Sequence, residues 1–277
     1  MAEPWSQSAA SLESIFSILS EHDHPFVMVG KYALNWMGVP VHSGYIMDIL
    51  LRTSQAGSIY QALVQSGEWL EVDKSSIPEL AILPESGEHD SIGWFKRYDD
   101  QWYISLCTED TYHIVVDTEK IQVPHPINFN SVLVESEFHP NPQDEIRDAR
   151  SSLPYLITDE GVKFVWGEPI TFPVFIPTIP EYLDSCLNRI REWGYTCYMA
   201  RMDMDNLARY LVLDSPHQQE KVLSKVENTE QLAEYFTQRQ QRQERCMKRI
   251  MEQQRKHAAL YGTTGKGLNL PFIMKAF

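Results

Sequence analysis

The stretch from Pro25 to Arg52, PFVMVGKYALNWMGVPVHSGYIMDILLR, constrains the fold more than any other part of the chain. FVMV is a short, wholly apolar run rich in branched side chains, which reads as a buried strand. Gly30 follows it, then KYALNWM with two turns of helical spacing, then YIMDILLR as a second apolar strand. The helix QAGSIYQALVQS comes next and is closed by Gly67, a residue that enters the left-handed C-cap conformation without a steric penalty. A β-α-β unit built this way brings the glycine and the helix start beside the second strand. Asp48 stands in the middle of that strand, where an unpaired charge is costly unless it faces a cleft, a network or a cation.

Upstream, residues 11–22 read as a helix with Leu12, Ile15, Phe16 and Leu19 on one face and Ser11 as its N-cap. Residues 69–137 turn to extended segments, with a hairpin predicted about YDDQ. Within that region YHIVVD reads as a strand that presents His113, Val115 and Asp117 on one face. Residues 138–180 are rich in proline and read as a connection packed on the first domain. The chain is helical from 181 onward, with Leu183, Leu187, Ile190 and Trp193 on one stripe, then a helix over MDNLARYLVLDSP and a long polar helix from Thr229 to Tyr261. The expected class is α+β, with three parts: an α/β core over 1–137, the connection over 138–180 and a helical part over 181–277.

Charge narrows the function. The 277-residue chain carries a formal −14, so nucleic acid is an unlikely partner on average. Residues 239–256 run against that balance, with seven Lys or Arg against two Glu. They read as a solvated helix face or as a contact for an anionic partner. No apolar run is long enough to span a membrane, and the polar N-terminus shows no secretory signal. The four cysteines show no metal-site spacing and read as reduced thiols, the usual state in the cytoplasm.

The residues VMVGKYALNWMGVP and YIMDILL together resemble the opening of the nucleotidyltransferase superfamily, most of all its fungal branch. That resemblance implies a mixed sheet with flanking helices and a cleft between the glycine turn and an Asp-x-Asp strand. It also implies two divalent ions held by three carboxylates, with the third carboxylate on a later strand. This chain departs from the pattern: Gly30 is followed by Lys31, and Leu50 occupies the second acidic position. Asp117 is the candidate for the third acid. Two divalent ions need several oxygen ligands, and leucine supplies none.

The expectation is therefore a site with no metal and no cofactor, in which Asp48, His113 and Asp117 do the polar chemistry. Gly30, Lys31, Tyr32, Tyr45, Leu50, Trp102 and Tyr112 are expected to contact a small-molecule substrate. A cofactor-free cyclase of secondary metabolism, Diels–Alderase-like, is the favoured activity, because such catalysis asks for a shaped pocket and one or two hydrogen-bond donors. The alternatives are an active Mg²⁺-dependent nucleotidyltransferase with a rearranged carboxylate set, and a non-catalytic interaction protein.

Overall fold

The computed structural model describes residues 6–37, 39, 41, 46–77, 91–97, 103–117, 119–122, 155–158, 161–164, 174–194, 197–209 and 222–261, and the fold is given for these. In chain order the elements begin with α1 (Ser6–Glu21), β1 (Phe26–Val29), α2 (Gly30–Met37), β2 (Ile46–Leu51), α3 (Thr53–Ser66) and β3 (Trp69–Glu71). They continue with β4 (Gly93–Arg97), β5 (Tyr103–Thr108), α4 (Glu109–Tyr112), β6 (Ile121–Gln122), β7 (Tyr155–Thr158), β8 (Gly161–Phe164) and β9 (Val174–Pro177). Three helices close the chain: α5 (Ile179–Trp193), α6 (Tyr198–Leu207) and α7 (Thr229–Tyr261).

Seven strands form one mixed sheet in the order β3-β4-β5-β2-β1-β9-β6, and β7 and β8 form a separate antiparallel pair. β1 lies near the centre, antiparallel to β2 and parallel to β9, and all four of its residues are buried. That position is why its sequence is apolar without alternation: a strand covered on both faces has no solvent side. β2 runs parallel to β5, with Asp48 opposite Ser105 and Leu50 opposite Cys107.

Because side chains alternate along a strand, Val27, Val29, Asp48, Leu50, Ser105 and Cys107 share one face of the sheet. Phe26 and Ile49 point to the other. On that other face α1 docks, with the rings of Phe16 and Phe26 4.4 Å apart, and Trp69 Nε1 donates to Ser14 Oγ at 3.1 Å. On the Asp48 face, α5 buries Tyr182, Leu183, Ser185, Cys186, Leu187 and Arg189. The class is α+β: a mixed seven-stranded sheet with flanking helices and a helical C-terminal part.

Several sequence expectations change. Ser11 does not cap α1; the helix starts at Ser6, because the preceding residues continue the same favourable helical run. Val174–Pro177, expected within a proline-rich connection, is the strand beside β1. Pro177 fits there because its partner is the short edge strand β6. Residues 109–117 do not form a strand. Thr108 caps α4 by accepting from the Thr111 N–H, and His113 ends that helix in the left-handed conformation at φ 52°. The apolar alternation in this segment is real but buries Ile114 and Val116, while Val115 is 53% exposed. The hairpin tip YDDQ lies outside the described residues, although the antiparallel pairing of β4 and β5 on either side of it is present.

Candidate functional site

The site is built where β1 ends and α2 begins. Gly30 is buried and holds φ +66°, a conformation that side chains with a Cβ rarely adopt. A Cβ added there would overlap Asp48 Oδ2, so the glycine is required both by its backbone and by the carboxylate lying against it. The Gly30 N–H donates to the Tyr182 hydroxyl at 3.0 Å, and that hydroxyl donates to Asp203 Oδ2 at 3.1 Å. Thus α5 and α6 are tied to the glycine turn by a buried chain of polar groups.

Asp48 is partly buried, and the Ser105 hydroxyl from β5 hydrogen-bonds to it. Burial pushes its carboxyl up to about 7, helped by the nearby Asp203; Ser105, Lys31 and Arg189 pull the other way. Ser105 Oγ also lies 3.4 Å from Cys107 Sγ. The Cys107 thiol is held protonated, far above its ordinary range, by burial and by the Asp48 charge. Arg189 is 2% exposed and stacks over the Tyr112 ring at 4.4 Å. Burial opposes its charge, but Tyr112, Cys186, Tyr182 and Asp203 outweigh that effect and keep it cationic.

The expected site residues separate into groups. Gly30, Lys31, Asp48, Leu50 and Tyr112 do gather around this point. Leu50 and Tyr112 are buried there, Tyr112 beneath the guanidinium and Leu50 wholly inside the core. Tyr32 is a correction: it is 0% exposed and meets Trp36 edge to face with ring centroids 6.4 Å apart, so it is core and not cleft wall. His113 is another, since its Nε2 pairs with Glu192 Oε2 at 2.6 Å instead of facing Asp48. Asp117 is itself an exposed loop residue, and its carboxylate accepts from the Glu119 N–H in a local turn at 3.3 Å. It is therefore not the third acid; the strand beside β2 offers Ser105 and Cys107 at the matching positions. Tyr45 and Trp102 lie outside the described residues.

Sequence reading missed Ser105, Tyr182, Arg189 and Asp203. One signal was present: Tyr182, Ser185, Cys186 and Arg189 follow helical spacing, which sets a charged residue on an apolar arc of α5.

The residues do not fit a two-metal centre. Asp48 brings one carboxylate, Leu50 none, Ser105 a hydroxyl and Cys107 a protonated thiol, with a guanidinium close by, and the nearby Asp203 carboxylate is engaged by the Tyr182 hydroxyl. Among the described residues no three His, Cys, Asp or Glu side chains converge as a metal site. Two open clefts lie elsewhere, one of about 500 Å³ beside Lys120, Glu181 and Lys225, the other of about 410 Å³ beside His24, Arg52 and Phe175. Neither includes Asp48. No described helix is long and apolar enough to cross a membrane.

No family model matches the chain, and no curated protein matches it. Among solved structures, the crystal structure of ANT(2")-Ia in complex with adenylyl-2"-tobramycin is similar over 78% of this chain and 94% of that one, at 9% identity and a TM-score of 0.36. So remote a likeness assigns neither family nor activity to this chain.

Proposed function

We propose that the chain is a small-molecule-binding protein on a nucleotidyltransferase-like frame, with Asp48 as its proton-exchanging group and no divalent ion in its chemistry. The observation that carries this reading is the register of β2 and β5, which sets Leu50 and Cys107 side by side next to Asp48 and Ser105. A carboxyl near pH 7 gives and takes protons at neutral pH, as general acid–base chemistry requires. Within this reading the narrower candidate is a cofactor-free cyclisation, in which Asp48, Ser105 and Lys31 would orient a bound chain. The support for it is chemical: positioned polar groups in a buried setting, beside a leucine that offers a metal no ligand.

The test is calorimetry and thermal unfolding with Mg²⁺ and each of the four nucleoside triphosphates, with and without EDTA. No binding heat and an unchanged Tm are expected. Stabilisation by Mg²⁺ and a nucleotide that EDTA abolishes would return the metal-dependent transferase to first place.

A further inference from the structure

Among the described residues Arg189 is the largest buried charged side chain, and its surroundings are unusual for a structural arginine. It is among the largest fully buried side chains, yet Nη1 has no hydrogen-bond partner. A buried guanidinium with an unspent donor is expensive, and folds keep such a group only where other charges need it. Two carboxylates from different elements are close enough to interact with it electrostatically, Asp203 of α6 and, more weakly, Asp48 of β2. The other groups around it are the Tyr112 and Tyr182 hydroxyls and the Cys107 and Cys186 thiols. Lys31, at the start of α2, is the second cation near Asp48 and is only partly buried. Stacking on Tyr112 fixes the plane of the guanidinium, and Ser185 one turn earlier anchors α5 by donating to the Tyr112 carbonyl.

We infer that the Arg189 guanidinium is the resident cation of this buried polar cluster, held by the fold in the role a dissociable divalent ion would otherwise fill, and that it positions Asp48. This rests on the metal-free reading above and adds to it the source of the positive charge. Leu50 then has a reason beyond the loss of an acid. A second carboxylate is not needed where the cation is covalently part of α5, and an apolar side chain keeps water away from the pair. Arg189 acts through Asp48 and is a positioning residue.

Two measurements test this. The first follows Mn²⁺ by electron paramagnetic resonance in the wild type, Leu50→Asp, Arg189→Met and the double variant Leu50→Asp/Arg189→Met. The wild type and Leu50→Asp should show no bound Mn²⁺ at about 100-fold excess over protein. The double variant, freed of the resident cation, should bind it with an affinity at least about tenfold above the upper limit that Leu50→Asp sets. The second follows the guanidinium ¹⁵N resonances of Arg189 in the otherwise unaltered protein across the pH range, which needs no destabilising change at Arg189. They should shift with the same midpoint as the Asp48 carboxyl ¹³C signal and should lose that step in Asp48→Asn. If Arg189→Met folds, the Asp48 midpoint should rise, and Arg189→Lys should restore most of the difference.

An Arg189 ¹⁵N signal blind to the ionisation of Asp48, or a double variant no better at binding Mn²⁺ than Leu50→Asp, overturns the role of Arg189 while leaving the metal-free reading in place. Mn²⁺ bound by the wild type at Asp48 overturns the metal-free reading itself.

Discussion

Asp48 is a carboxyl that the fold keeps short of water, and its pH response follows from that. Below about pH 4 it is protonated in the folded and the unfolded chain alike. Between about 4 and about 7 the unfolded chain has released the proton and the folded one still holds it, so stability falls as pH rises through this window. With partial exposure discounted, the loss is on the order of 2 kcal/mol by pH 8. His24 pulls in the opposite sense. Burial lowers its pKa to about 4, and its neutral Nε2 accepts from the Arg52 N–H at 2.9 Å, so stability falls as pH drops from 6.5 towards 4. Urea unfolding of Asp48→Asn should therefore show stability rising from pH 4 to 6.5 and then level, about 2 kcal/mol above the wild type at pH 8. A wild type and variant that run parallel across this range would refute the assignment. Gly30→Ala meets two penalties, the left-handed backbone and the Asp48 carboxylate. It should cost about 2–4 kcal/mol, of which the steric part is recovered in Gly30→Ala/Asp48→Ala and the backbone part, about 1 kcal/mol, is not. Equilibrium unfolding of the four members of that cycle reads both parts.

Among the elements, α7 depends on α5 for its first turn. Asp184 accepts from the Glu227 N–H, the Asn228 N–H and Asn228 Nδ2, at 2.8, 2.8 and 2.7 Å, just before α7 begins. Asp184→Ala should cost about 1–3 kcal/mol and should strip hydrogen-exchange protection from the start of α7 while β2 stays protected. The extent of α7, Thr229–Tyr261, was legible from its long polar periodicity, and α3 from the glycine that closes it. Their signals are local. β9 was hidden because prolines flank its short apolar core, and only pairing with β1 makes it a strand. The segment after β5 was misread because alternation alone does not say which face is buried; Thr108 with Glu109 and Asp110 behind it already spelled a helix start. The site divides the same way. Gly30 and Asp48 were visible because one short unit carries both, whereas Tyr182, Arg189 and Asp203 reach them from helices whose docking no local pattern records.

At the scale of the whole molecule, helices α5 and α6 pack onto the site face of the sheet. Tyr182, Arg189 and Asp203 complete the polar cluster around Gly30 and Asp48, and Tyr182, Leu183 and Cys186 are 0% exposed against the sheet. Unfolding should follow one transition, with tryptophan fluorescence and far-ultraviolet circular dichroism coincident in urea. A fragment ending at Thr178 should show no cooperative transition; if it melts sharply, the helices are an independent domain. The parallel pairing of Phe26 with Val174 carries a further consequence, for how the chain is made. On the ribosome the apolar strand Phe26–Val29 emerges well before β9, and one of its edges stays open until β9 has been synthesised. During that interval the nascent chain displays an unpaired hydrophobic edge, the kind of surface that recruits chaperones and seeds aggregation. The non-local closure of this sheet thus lengthens the interval over which the nascent chain is exposed.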